Sequence, residues 1–136
     1  MKIVVDAEGA IVGRLGSYVA KELLKGNEVF VINSEKAIIS GSKKNIIDRI
    51  NKLRKIGHGG SGKGPKIPLV ADKFLKRKIR GMLPWDRPRG REAFKRLRCY
   101  IGTGQLKEEE IKKAKKFEHK KPLKYLTIKQ IMELLR

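Results

Sequence analysis

The segment GHGGSGK at 57–63 places glycines and a lysine at nearly the spacing with which backbone N–H groups and an ammonium cradle the phosphates of a nucleoside triphosphate. The pattern fails at three points. Gly64 stands where a metal-binding Ser or Thr is needed, the segment follows a helical stretch rather than a strand, and Pro65 and Pro68 fall where the next helix should begin. A glycine-rich, lysine-bearing loop offers the same backbone freedom to any chain of phosphates. Gly9, Gly13 and Gly16 lie at a strand-to-helix junction, but their spacing lacks the close first pair that admits a pyrophosphate, so they read as packing glycines where helix meets sheet.

Metal and nucleophile chemistry lack parts. His58 and His119 are isolated and Cys99 is the single cysteine, so neither a tetrahedral metal site nor a Cys-His pair can be assembled. Cys99 reads as an ordinary half-buried thiol of a reducing compartment. The sequence therefore points to no catalytic residue, no metal and no other cofactor.

Charge is the strongest signal. The 136 residues carry 34 Lys and Arg against 14 Asp and Glu, a formal net charge of +20. Residues 1–42 sum to zero, so the whole excess lies in the remaining 94. It peaks over residues 73–98, where eleven basic side chains, most of them Arg, face only Asp86 and Glu92. A solvated helical face normally interleaves Lys with Glu, and here the acidic partners are missing. Forked Arg donors suit phosphate oxygens, and their planes stack on unpaired bases, so the implied partner is RNA. The residues expected to touch it are Arg14, Lys43, Lys44, Lys52, Lys55, His58, Lys63, Lys66, Lys73, Lys76, Arg77, Arg80, Trp85, Arg87, Arg89, Arg91, Lys95 and Arg98. Trp85, in a Pro-flanked turn, is either a lid on the core or a platform for a base.

Those side chains need a scaffold, and the apolar pattern describes one α/β domain over 1–136. A strand at 2–6, a helix using Ile11, Leu15, Tyr18, Val19 and Leu23, and a strand at 28–33 make a βαβ unit. Strands apolar on both faces belong in a parallel sheet covered by helices. Ala37, Ile38 and Ile39 suggest a short further strand or turn, and Ser42 caps a helix at 43–55 with Ile46, Ile50 and Leu53 inward, supported by Ile47. Residues 57–68, with five Gly and two Pro, read as an exposed basic loop. Ala71, Phe74, Leu75, Ile79 and Met82 form the next stripe, ended by Pro84. A helix from about Arg89 is expected to carry Ala93, Phe94, Leu97 and Ile101 inward as far as Gly102. The tail, 106–136, reads as a surface helix at 106–120 and a terminal helix capped by Thr127 with Gln130, using Ile128, Ile131, Leu134 and Leu135. No targeting segment and no apolar run near the ~18 residues of a membrane span is seen, so a soluble cytoplasmic protein is expected.

The motif IRGMLP at 79–84, followed by Gly90 and Arg91 and then by LRCYIG at 97–102, resembles the signature of the ribosomal large-subunit protein L-thirteen family. VDAEG at 5–9, GRLG at 13–16 and ISG at 39–41 look like that family's opening strand, first helix and following turn. The likeness runs from about residue 3 to 102. It implies a three-layer α/β/α domain around a four-stranded parallel sheet, bound to large-subunit ribosomal RNA beside neighbouring ribosomal proteins, with a part in subunit assembly and no catalysis. The stretch WDRPR at 85–89 looks like the archaeal or eukaryotic branch, and the short tail favours the archaeal one. Two other classes fit parts of the sequence: a nucleotide-hydrolysing enzyme working through 57–63, and a basic protein binding nucleic acid or acidic membranes without specificity. The membrane reading wants bulky exposed apolar residues opposite the charge, whereas these stripes serve a core.

Overall fold

Residues 1–57, 64–117 and 121–135 are described by the computed structural model. In chain order the elements are β1 (Lys2–Asp6), α1 (Val12–Leu24), β2 (Glu28–Ile32), a 3-10 turn at Ser34–Lys36, β3 (Ile38–Ser40), α2 (Lys43–Lys55), α3 (Ala71–Arg80), α4 (Pro88–Lys95), β4 (Leu97–Cys99), α5 (Glu108–Lys112), β5 (Lys115–Lys116), β6 (Tyr125–Thr127) and α6 (Ile128–Leu135). β1 and β2 run parallel, with Lys2 beside Glu28 and Asp6 beside Ile32. The main sheet has the order β4-β2-β1-β5, its three pairings are all parallel, and β3 with β6 forms a separate antiparallel pair.

Side chains alternate across this sheet and so sort themselves between two layers. Val5, Val29, Val31 and Leu97 are buried on the face covered by α1, α3 and α4. The opposite face holds Lys2, Val4, Phe30, Arg98 and Tyr100, with α5 against β1 and Lys2 Nζ donating to Glu110 at 2.8 Å. The result is the three-layer α/β/α arrangement. Its core extends to α2 through Ile46 and Ile50 and to α6 through Ile128, Ile131, Met132 and Leu135.

The caps follow the sequence. Ser42 Oγ accepts from Asn45 N at 3.3 Å, and Thr127 and Gln130 bond each other's backbone N–H at 3.2 and 3.0 Å. Close packing explains Gly16 alone among the first three glycines: a Cβ there would lie 2.6 Å from Met82 Sδ, whereas Gly13 faces open space and Gly9 serves a turn at φ +71°. Cys99 is half-buried, and burial pushes its thiol up to about 12.

Three expectations are corrected. The helix expected from Arg89 through Leu97 to Ile101 stops at Lys95, and Leu97 is buried on strand β4 while Ile101 is exposed. The free edge of β2 would otherwise leave backbone groups unpaired; Val29 N donates to Arg96 O at 3.2 Å and Tyr100 N to Val31 O at 2.8 Å. Of the surface helix expected at 106–120, the described part holds only α5, after which Lys115 and Lys116 pair with the other free edge, that of β1; 118–120 lie outside the described residues. Finally, Leu53, Met82 and Leu134 are exposed where their stripes place them inward, Phe94 is only half-buried, and Met132 takes the core position.

Candidate nucleic-acid interface

The basic residues do not lie where helices would choose them. A helix N-terminus is the positive end of the macrodipole, and a cation in the first turn costs about 0.3–1 kcal/mol. Yet α2 begins with Lys43 and Lys44 and has no acidic residue in its first turn, and α4 carries Arg87 at its N-cap and Arg89 and Arg91 just beyond. Those on α3 are different, since Asp72 lies early and Arg77, Lys78 and Arg80 late, as the dipole favours. Among the described residues the ion pairs are Lys2 with Glu110, Lys25 with Glu22 and Lys36 with Glu8, all outside the basic run.

Three hollows join these elements into one band. The first, about 530 Å³, lies between Asn51, Arg54 and Lys55 of α2 and residues 65–67. A second of about 230 Å³ shares Pro65, Lys66 and Ile67 with it and reaches Phe74, Arg77, Lys78 and Gly81. A third, about 300 Å³, shares Arg77 and Gly81 and ends at Arg80, Leu83 and Trp85. The band thus runs from the C-terminal half of α2 across α3 to the Trp85 turn, where α4 begins.

That turn is held by its own cations. The Arg80 guanidinium lies over the Trp85 ring, 4.2 Å from its centroid, and Trp85 meets the Phe94 ring at 88° with centroids 5.1 Å apart. Arg91 donates from Nε to Trp85 O at 2.9 Å and from Nη2 to Asp86 O at 3.0 Å. Gly90 is buried, and a Cβ on it would fall 2.1 Å from Pro84 O, so α4 seats directly on the proline. Trp85 is therefore a half-exposed lid on Phe94, with 36% of its surface open.

Of the residues expected to touch RNA, Lys52, Lys55, Lys66, Arg77, Arg80 and Trp85 lie on or beside the band, and Lys43, Lys44, Arg87 and Arg89 at the two helix starts. Arg91 is committed to the turn, and Lys76 Nζ sits over the Phe94 ring at 5.0 Å. Arg14, Lys73 and Lys95 are exposed on α1, α3 and α4. Arg98 belongs to the far face of the sheet, beside Phe30 in register. His58 and Lys63 lie outside the described residues. Sequence reading missed Lys78, which lines the middle hollow; packing around its ammonium and the nearby Arg49 guanidinium hold its pKa below the ordinary lysine value. Its place inside the basic run was the available signal. Arg96, in the same run, instead donates to Leu23 O at 2.6 Å and ties β4 to the end of α1.

Among the described residues no group of three or more His, Cys, Asp or Glu could hold a metal ion, and no helix is long and apolar enough to cross a membrane. The nucleotide-loop reading of 57–63 is tested directly in solution: the protein is expected to show no magnesium-dependent hydrolysis of ATP or GTP. Turnover that vanished in Lys63→Ala would overturn that expectation.

Fold and site together define a small, strongly basic α/β protein with its charge concentrated on the helical layer. The model of the ribosomal protein L13 family matches residues 1–106, and the chain belongs to that family, which is structural and not enzymatic. It is 55% identical over 106 residues to the large ribosomal subunit protein uL13 of Methanopyrus kandleri, an alignment covering 78% of this chain and 65% of that protein. To the uL13 of Methanocaldococcus jannaschii it is 40% identical over 135 residues, covering 97% of this chain and 96% of the relative. The uL13 of Archaeoglobus fulgidus is 39% identical over 136 residues, covering 97% and 86%.

Proposed function

We infer that the chain is a structural constituent of the large subunit of cytoplasmic ribosomes, where it binds large-subunit ribosomal RNA, adjoins other ribosomal proteins and supports subunit assembly. The observation that carries the reading is the placement of Lys43, Lys44, Arg87 and Arg89 at positive helix ends, none of the four belonging to the ion pairs found among the described residues. Such placement costs the free fold stability and is offset by phosphates, which a helix N-terminus also attracts. Residues 1–136 act in this reading as one RNA-binding domain.

The test pairs thermal melts with binding of purified large-subunit ribosomal RNA. Arg87→Ala and Arg89→Ala are expected to weaken binding while leaving the melting temperature unchanged or slightly raised, because like-charge repulsion eases. Arg91→Ala is expected to lower the melting temperature as well, since it frees two carbonyls of the turn. If Arg87→Ala and Arg89→Ala melted far lower and bound normally, the arginines would be structural and the assignment of this surface wrong. Co-migration of the protein with large subunits in cell extract is the matching cellular result, and migration as a free protein would count against it.

A further inference from the structure

We propose that the middle hollow, between α2, residues 65–67 and α3, is a receptor for one unpaired nucleobase of the bound RNA. The inference rests on the RNA-binding reading above and adds a second mode of contact to it.

Leu53 carries the first step. It continues the stripe of Ile46 and Ile50 along α2, yet 36% of its surface is open. With Ile50, Ile67 and Phe74 it forms an apolar floor, and Phe74 beneath is 2% exposed. Leu53 and the half-buried Ile67, the part of that floor open to water, lose the transfer energy that burial would give, and a planar heterocycle laid on them recovers it.

The rim carries the second. Lys66 stands on one wall and Arg77 and Lys78 on the other, and among the described residues no carboxylate lines the hollow. A nucleotide flipped out of a strand presents one base flanked by two phosphates, and cations on both sides of an apolar slot match that pattern. The lowered pKa of Lys78 agrees with it, since partial desolvation and the nearby Arg49 both disfavour its charged form, which a phosphate would favour. Size decides between base and larger ligand: about 230 Å³ is below the ~300–1,000 Å³ of drug-sized sites and suits a single ring system. An acidic peptide could satisfy the rim, but the slot continues on both sides into hollows lined by further cations, a course that suits a continuous phosphate backbone.

Two experiments separate this proposal from general RNA binding. First, the full chain, with labelled Leu and Ile methyls, is titrated with the four nucleoside 5′-monophosphates and with ribose 5-phosphate. The nucleotides are expected to shift the Leu53, Ile50 and Ile67 methyls saturably in the millimolar range, and ribose 5-phosphate is not. Equal shifts from ribose 5-phosphate would reduce the slot to a phosphate site, and no shift with any nucleotide would leave it empty; either result sinks the proposal. Second, benzoylphenylalanine is placed at position 53 and the protein is assembled into large subunits and irradiated. A nuclease-sensitive adduct is expected, and a protease-sensitive adduct to another protein would overturn the assignment. Leu53→Phe, which fills the slot, should lower affinity for large-subunit ribosomal RNA about tenfold with an unchanged salt dependence. Normal RNA binding by Leu53→Phe refutes the slot alone, whereas failure of the unmodified protein to bind RNA refutes the functional reading beneath it.

Discussion

Raising monovalent salt from about 50 to 200 mM is expected to weaken binding of large-subunit ribosomal RNA by roughly 250- to 1,000-fold, through release of counterions from the neutralised phosphates. Lys43, Lys44, Lys66, Arg77, Arg87 and Arg89 are exposed and lie along the band or at its helix starts. Taking roughly six phosphate contacts, at about 0.7 to 0.9 in slope per contact, log affinity should fall against log salt with a slope near −4 to −5. A plot of affinity by filter retention across that salt range measures it. Removing one cation, as in Lys66→Ala, should flatten the slope by about one contact, while Leu53→Phe should leave it alone. A slope near zero would mean that the charge excess is not what binds RNA.

Why so much of this surface could be read from the chain, and where the reading stopped, is a matter of period and length. The βαβ opening was legible because two strands apolar on both faces flank a helix with a complete stripe, and β1, α1 and β2 fall where that pattern puts them. The caps at Ser42 and Thr127 were legible because a side-chain acceptor and its backbone donor are local. β4 and β5 were not. They are three and two residues long, too short for an alternating pattern to outweigh helical spacing in the flanking residues. What makes them strands is the unpaired edges of β2 and β1, a fact about distant chain.

The site divides the same way. Exposed cations follow from composition, so α2, α3 and α4 carry them as expected. The roles within residues 73–98 do not follow from type, because Arg96 on a carbonyl of α1, Arg91 on the Trp85 turn and Arg89 at a helix start are all Arg in one basic run. Arg98 escapes the helical face only because residue 97 begins a strand, which turns alternate side chains to the far side of the sheet. Residue type does not separate the two roles of Trp85, lid or base platform; its packing does for the first, since one side rests on Phe94, the other carries Arg80, and the exposed part lines the third hollow.

Leu97→Ala is expected to cost about 2–5 kcal/mol of folding stability, the range for deleting a large buried aliphatic side chain and leaving a cavity. Leu97 is 1% exposed, lies beside Val29 in register, and belongs to the same buried cluster as Ala93 and Ile79. No neighbour can collapse easily into the space, because β4 is fixed to β2 on one side and α3 packs on it. Phe94→Ala should cost roughly half as much, since Phe94 is half-buried and shared between Trp85 and Lys76, and less area leaves water with it. Gly90→Ala approaches from the opposite direction by adding atoms. Its new methyl would meet backbone at Pro84, which cannot rotate away, so overpacking of about 1–3 kcal/mol or more is expected although Ala favours a helix. Denaturant midpoints at constant slope give all three values. Should Phe94→Ala prove more costly than Leu97→Ala, Leu97 would not be the more buried of the two, and its place in the sheet core beside Val29 would be wrong.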